Sequence, residues 1–278
     1  LHFNINYRNI SVYKSGNDAL LSFEDSHSVT IKDWFVGELY RHMIMMSGDG
    51  VLFEISSTVV TSVQLVATGI NKMFEKQGET INASDPLLHT VTNIIGTQFD
   101  DVIVGNDESN LIDGGGGRDH LTGGEGEDIY NIKSRNQSVW INNLSKDNKI
   151  DLAIIEADLH SFSIWVEGDD VKLRAQHDNV SICVTLVSWF KSAKHRHLFV
   201  VTKDLKAFTI SENKTDCLQS KKYTSCIKSQ ADPQEGGALG DGTGSHRSNS
   251  NDNHKENHKH DLFLPRDGEH CVEGGSGE

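Results

Sequence analysis

The sequence predicts a mainly β fold: a short parallel β-roll between two duplicated antiparallel β cap modules, with one amphipathic helix and a disordered C-terminal tail. Three observations predict it. A nine-residue period runs from Gly96 to Asn131, a longer duplication flanks it, and the composition changes after about Ser211. The expected organisation is a first cap module over 1–57, a helix and linker over 58–95, the repeats over 96–131, a second cap module over 132–211 and a polar tail over 212–278.

The cap modules rest on the longer duplication. Val29-Thr30-Ile31-Lys32-Asp33-Trp34-Phe35 recurs as Val184-Thr185-Leu186-Val187-Ser188-Trp189-Phe190, an offset of 155. At the same offset Arg41-His42 returns as Arg196-His197, and Phe53-Glu54-Ile55-Ser56 as Phe208-Thr209-Ile210-Ser211. Upstream, Gly16-Asn17-Asp18 answers Gly168-Asp169-Asp170 after a slip of three. These runs are short, β-branched and aromatic, with turn residues between them, which reads as antiparallel strands. Trp34 and Trp189 resemble sugar-stacking platforms in isolation, but the adjoining Phe35 and Phe190 favour a packed core. No nucleophile or carboxylate repeats with the Arg-His pairs, which assigns them to surface or packing roles.

Between the first module and the repeats, Val59, Val63, Val66, Ile70, Met73 and Phe74 fall on one helical face. That spacing predicts an amphipathic helix over Thr58 to Gln77, ended near Gly78 and packed on the roll or a cap.

The roll itself rests on three residue classes held in phase. Glycine recurs at Gly96, Gly105, Gly114 and Gly123. Five positions behind each comes a hard oxygen ligand: Asp101, Asn110, Asp119, Asp128. Two positions further comes a large apolar residue: Ile103, Ile112, Leu121, Tyr130. The first six residues of a unit form a tight turn that directs carbonyl oxygens inward, and the last three form a short strand. Nine residues are too few for an independent core, so units must stack. Successive turns lie on opposite sides, and same-side turns are two units apart. The carboxylates and turn carbonyls suit calcium, which takes six to eight oxygen ligands in loose geometry. A flexible glycine linker has no reason to keep the apolar phase.

The pattern resembles the RTX (repeats-in-toxin) family, whose repeat is GGxGxDxUx with U large and apolar. Gly114-Gly115-Gly116-Gly117-Arg118-Asp119-His120-Leu121-Thr122 and Gly123-Gly124-Glu125-Gly126-Glu127-Asp128-Ile129-Tyr130-Asn131 match it in full. The first unit departs at Thr97 and Phe99, the second at Asn106, Glu108 and Asn110. The resemblance implies a parallel β-roll with calcium between same-side turns. Its ligands would come from Gly96, Asp101, Gly105, Asn110, Gly114, Gly115, Gly117, Asp119, Gly123, Gly124, Gly126 and Asp128. One site would use the turns ending in Asp101 and Asp119. A weaker one would use those ending in Asn110 and Asp128, because Asn110 brings no charge. The tWF-like strands resemble those that cap the open end of such rolls, covering otherwise exposed edges. A cap at the very start also leads to the expectation of a further segment before Leu1.

After Ser211 aliphatic and aromatic residues thin out, and a segment so polar is expected to stay disordered. Its histidines (His246, His254, His258, His260, His270) follow no zinc spacing. Cys217 and Cys226 are placed to close a small loop, while Cys183 lies in a cap strand and Cys271 in the tail. A leftover thiol would stay free or pair between chains.

The 278 residues carry a net charge of −14, which disfavours nucleic acid and favours cations. There is no apolar run of eighteen residues to span a membrane, and no signal peptide. Weak calcium turns would fill only outside the cell, where such modules bind at about 10⁻⁴–10⁻³ M. Six N-glycosylation sequons, at Asn9, Asn82, Asn136, Asn143, Asn179 and Asn213, suit a secretory route. No His-Glu-x-x-His or Gly-x-Ser-x-Gly motif occurs, so no catalytic residues are assigned. The sequence therefore reads as a secreted, non-enzymatic, calcium-binding structural protein with extracellular matrix or mineral as partner. It also resembles skeletal matrix proteins of marine invertebrates such as corals. The competing reading is the C-terminal part of an RTX toxin, adhesin or RTX-linked hydrolase.

Overall fold

The computed structural model describes residues 1–229 apart from Asp25, His42, 57–62, 73–74, Asn148, 178–179 and 219–225. An antiparallel sheet opens the chain, made of β1 (Ile10–Ser15), β2 (Asp18–Phe23) and β3 (Ser28–Ile31). Then come β4 (Met45–Met46), β5 (Val51–Ile55), β6 (Leu65–Asn71), β7 (Thr80–Asn82) and β8 (Asn93–Ile95). The repeats and their sequel supply β9 (Val102–Val104), β10 (Leu111–Asp113), β11 (Gly117–Thr122), β12 (Ile129–Ile132), β13 (Asn136–Ile141) and β14 (Asp151–Ile155). The second module holds β15 (Ser163–Glu167), β16 (Asp170–His177), β17 (Val180–Leu186), β18 (Leu198–Thr202) and β19 (Ala207–Ile210). Beyond it lie α1 (Lys214–Leu218) and β20 (Ile227–Ser229).

From β6 to β14 successive strands alternate between two sheets. One runs β6-β8-β10-β12-β14-β18 and the other β7-β9-β11-β13-β17, all pairs parallel. This is a β-roll, and each sheet sends one column of side chains inward. Ile70, Ile94, Ile112, Tyr130, Ala153 and Val200 stand in register in one column. Ile81, Ile103, Leu121, Ile141 and Leu186 form the other. Every member is buried. A fully buried aliphatic side chain is worth about 1.5–3 kcal/mol, so these columns are the main cohesive element.

The roll is therefore longer than the four repeats. β6, β7, β8, β13, β14, β17 and β18 extend it at both ends with strands that lie outside the nine-residue period. A strand needs only a backbone to pair and one apolar side chain to bury. The glycines are needed where a turn must be tight.

The duplication holds in three dimensions. Gly16 and Gly168 share left-handed φ values of 64° and 59°, and Asp33 and Ser188 share 58° and 56°. The unusual backbone at Asp33 and Ser188 is held the same way in both copies. Their N–H groups donate to Asp18 Oδ1 (2.9 Å) and Asp170 Oδ1 (2.6 Å). Phe35 N donates to Asn17 O and Phe190 N to Asp169 O, each at 2.9 Å. Trp34 and Trp189 are buried in the core as expected.

Two expectations need correction. Where it is described, the stretch Thr58 to Gln77 is not a helix: its centre is β6, between β5 and β8. Phe53 faces Ala67 while Leu52 faces Gly69, so Thr68 is an extra residue in the ladder. That bulge buries Ala67 with Ile70 and leaves Val66, which the helical face paired with Ile70, only half-buried. Val59, Met73 and Phe74 lie outside the described residues. Second, order does not stop at Ser211. β20 pairs antiparallel with β19, and a disulfide joins Cys217 of α1 to Cys226, next to β20. The cross-link restricts the unfolded chain and offsets the poor apolar content. The rest of the expected disordered tail, 230–278, lies outside the described residues. Among the described residues no cysteine is free, and no helix is long and apolar enough to cross a membrane.

Candidate metal centre

Strand register superimposes the turns. His120 faces Val102, which puts Asp101 and Asp119 at equivalent places on one side of the roll. Ile129 faces Leu111, which does the same for Asn110 and Asp128 on the other. Asp101 N donates to Asp119 Oδ1 at 3.1 Å, and Asn110 N to Asp128 Oδ1 at 2.8 Å. All four side chains are at most 2% exposed. Buried carboxylates are costly unless a cation or a full set of donors compensates them.

The turn glycines line the same stacks. Gly115 and Gly124 show why no other residue serves. Their φ values are 97° and 114°, and a Cβ would fall 1.7 Å from Thr97 O and 2.2 Å from Asn106 O. Gly96, Gly105, Gly114, Gly123 and Gly126 lie in the loops of the same four units, whereas Gly117 opens β11.

The turns divide into two kinds. In the degenerate ones the turn closes on its own acceptor. Thr97 N donates to Asp101 Oδ2 at 2.6 Å, and Thr97 Oγ1 reaches both carboxylate oxygens at 3.0 Å. Asn106 N donates to Asn110 Oδ1 at 2.9 Å. Asn106 Nδ2 bonds Leu88 O and Val91 O, and Asn110 Nδ2 bonds Val91 O and Asn106 Oδ1. In the consensus turns glycine has no side chain to do this. Gly115 N turns to Asp113 Oδ1 instead, at 3.0 Å. Asp128 Oδ2 is buried with no hydrogen-bond partner.

Asp128 carries the electrostatic consequence. Burial pushes its carboxyl up to about 7, with Asp151 and Asp147 adding to the rise and the Asn110 N–H and His197 opposing it. An orphaned, buried carboxylate oxygen beside a glycine turn is what a calcium ion would complete, so the residues present fit that group. Among the described residues no three Asp, Glu, His or Cys side chains converge as a metal cluster. Any ion must therefore draw on paired carboxylates and backbone carbonyls, the ligand set of loosely coordinated calcium.

Several participants were not foreseen from the sequence. The amide-to-carboxylate ladder starts before the repeats, with Glu79 N to Asp101 Oδ1 at 2.6 Å. It continues after them, with Asp128 N to Asp151 Oδ1 at 2.7 Å. Arg135 Nε donates to Gly115 O at 2.6 Å and its Nη2 to Asp113 Oδ1 at 2.5 Å, with Lys133 Nζ 3.0 Å from Asp113 Oδ2. Val139 faces Asp119, so no carboxylate follows on that side and a guanidinium closes it. Among the sequons, Asn143 is buried beneath Tyr130 Oη (3.1 Å) and closed to a glycan, whereas Asn82 and Asn213 are exposed.

Comparison with known proteins agrees with this geometry. Residues 95–130 match the RTX calcium-binding nonapeptide repeat in four copies. No curated protein matches the sequence. Among solved structures, the extracellular lipase LipA from Serratia marcescens aligns at 14% identity and a TM-score of 0.32, over 71% of this chain and 31% of that one. The chain spans less than a third of the lipase, and a likeness so distant implies nothing about activity. The period, the stacked buried carboxylates and the family match converge: residues 95–130 are four RTX calcium-binding nonapeptide repeats, and their ion is Ca2+.

Proposed function

We propose that this chain is a secreted structural protein of an extracellular or mineralised organic matrix, ordered by calcium and without catalysis of its own. The observation that carries the reading is the orphaned, buried Asp128 carboxylate in a stack of buried acidic turns. Two calcium positions follow, one between the turns of Asp101 and Asp119 and one between those of Asn110 and Asp128. Gly96, Gly114 and Gly117 supply turn carbonyls to the first, where Arg135 holds the Gly115 carbonyl, and Gly105, Gly123, Gly124 and Gly126 to the second. The ions neutralise the carboxylates and cross-link loops that have no side chains of their own. Because calcium binds the folded roll, it stabilises it by mass action.

Three features support the extracellular setting. The Cys217–Cys226 disulfide suits an oxidising compartment. The net charge of −14 suits a calcium-rich medium. Exposed Asn82 and Asn213 are open to glycans. The test is a calcium titration followed by circular dichroism, with Asp119→Ala/Asp128→Ala as control. The reading expects a transition at about 10⁻⁴–10⁻³ M that the control lacks. A spectrum unchanged across millimolar calcium would sink calcium ordering, and a submicromolar midpoint would argue against the extracellular setting.

A further inference from the structure

The ladder of buried carboxylates does not end with the last repeat. Ile129 faces Leu152, so Asp151 occupies the place above Asp128 that Asp128 occupies above Asn110. Asp151 lies 23 residues after Asp128, whereas the preceding same-side step, Asn110 to Asp128, is 18. The segment 142–147 folds back onto the last glycine turn. Asp147 Oδ2 accepts from Gly126 N at 2.7 Å. Glu125 accepts from Lys146 N and from Ser145 Oγ, and Ser145 Oγ also donates to Asp147 Oδ1 at 2.6 Å.

The geometry points to an additional calcium position outside the repeats, between the turn 123–128 and the segment 145–147, with Asp128 and Asp151 as its paired carboxylates. It rests on the calcium reading above and extends it to a segment with no repeat motif. The two carboxylates are 1% and 2% exposed, and Asp128 Oδ2 has no partner. Asn110, on the other face of Asp128, is neutral and already satisfied: its oxygen accepts from Asn106 N and its nitrogen serves Val91 O and Asn106 Oδ1. Asp151 brings a full charge. Exposed Asp147 and partly exposed Glu125 flank the position and add to its negative potential. The ladder stops there. Asp151 faces Leu198 on β18, and His197 Nε2 stands 3.1 Å from Asp151 Oδ2.

Calcium stoichiometry of the full chain, measured by equilibrium dialysis with calcium alone, tests this. Asp151→Asn keeps an acceptor for Asp128 N and is expected to bind one calcium fewer than the parent. Asp101→Asn should weaken binding on the opposite side, and the double variant should show both losses independently. A folded Asp151→Asn chain with the full count and unchanged affinity would overturn the proposal. Should Asp151→Asn fail to fold, Asp151→Glu carries the test. It keeps the charge and should keep the count with one site weakened, whereas unchanged affinity at every site overturns the assignment. A parent chain that binds no calcium at all would instead refute the underlying calcium reading.

Discussion

The two degenerate turns and the two consensus turns share one backbone path, yet they solve the buried-oxygen problem in opposite ways. Thr97 and Asn106 give up glycine's freedom and supply donors to Asp101 and Asn110. The consensus turns keep glycine, pack against the neighbouring turn, and leave Asp128 with an unsatisfied oxygen. Sequence drift from the consensus thus reads as an exchange: internal hydrogen bonds replace dependence on the ion. Arg135 makes the same exchange at the end of one stack, where a tethered guanidinium sits on the Gly115 carbonyl.

The largest expected break comes from the glycines. Gly115→Ala puts a methyl group on the Thr97 carbonyl at a left-handed backbone, and should cost several kcal/mol or prevent folding. Gly116→Ala, whose Cβ would meet Gln98 O at 3.1 Å without a positive φ, should be far milder. Thermal melts of the two variants in millimolar calcium check the contrast.

Next, Asn106→Ala should destabilise the metal-free chain by about 1–3 kcal/mol, because Leu88 O and Val91 O lose a buried donor. Thr97→Ala should cost less, since only the hydroxyl is lost and its N–H still reaches Asp101. Urea melts without calcium would measure both.

A third contrast lies in the pH dependence. The folded carboxyl of Asp128 sits at about 7 against an unfolded value of 3.8. Between those values the folded chain holds a proton that the unfolded chain has released. The stability contributed by this group is therefore complete below the unfolded value and lost as pH rises through about 7. Calcium binding runs the other way, displacing the proton and tightening across the same window. Asp128→Asn should flatten both profiles. Urea melts and calcium titrations at pH 5 and 8 would compare them.

These contrasts also explain what the sequence made legible. The repeat turns could be read directly, because glycine, carboxylate and apolar residue each leave a distinct chemical trace at fixed phase. The roll's extension could not. Asp151–Ile155 follows no glycine turn, and Thr80–Asn82 follows a lone Gly78 without the carboxylate and apolar phase, so pairing recruits both. β6 is hidden because Val66 and Ile70, four apart, suit a helical face, while the bulge at Thr68 puts Ala67 on the buried face in place of Val66. Asp151 was concealed by the longer loop before it. The Arg135–Asp113 pair joins positions 22 apart, which local pattern does not connect. Past Ser211 the polar composition suggests no structure, but a disulfide and one strand pair tie α1 and β20 to the rest.

Hydrogen–deuterium exchange with and without calcium tests most directly whether the two kinds of turn differ in their need for the ion. The account predicts that calcium slows exchange most within 114–117 and 123–126. It predicts a smaller change at Thr97 and Asn106, whose side chains tie their turns to Asp101 and Asn110 without the ion. Equal gains in protection across all four turns, or none in any, would contradict it.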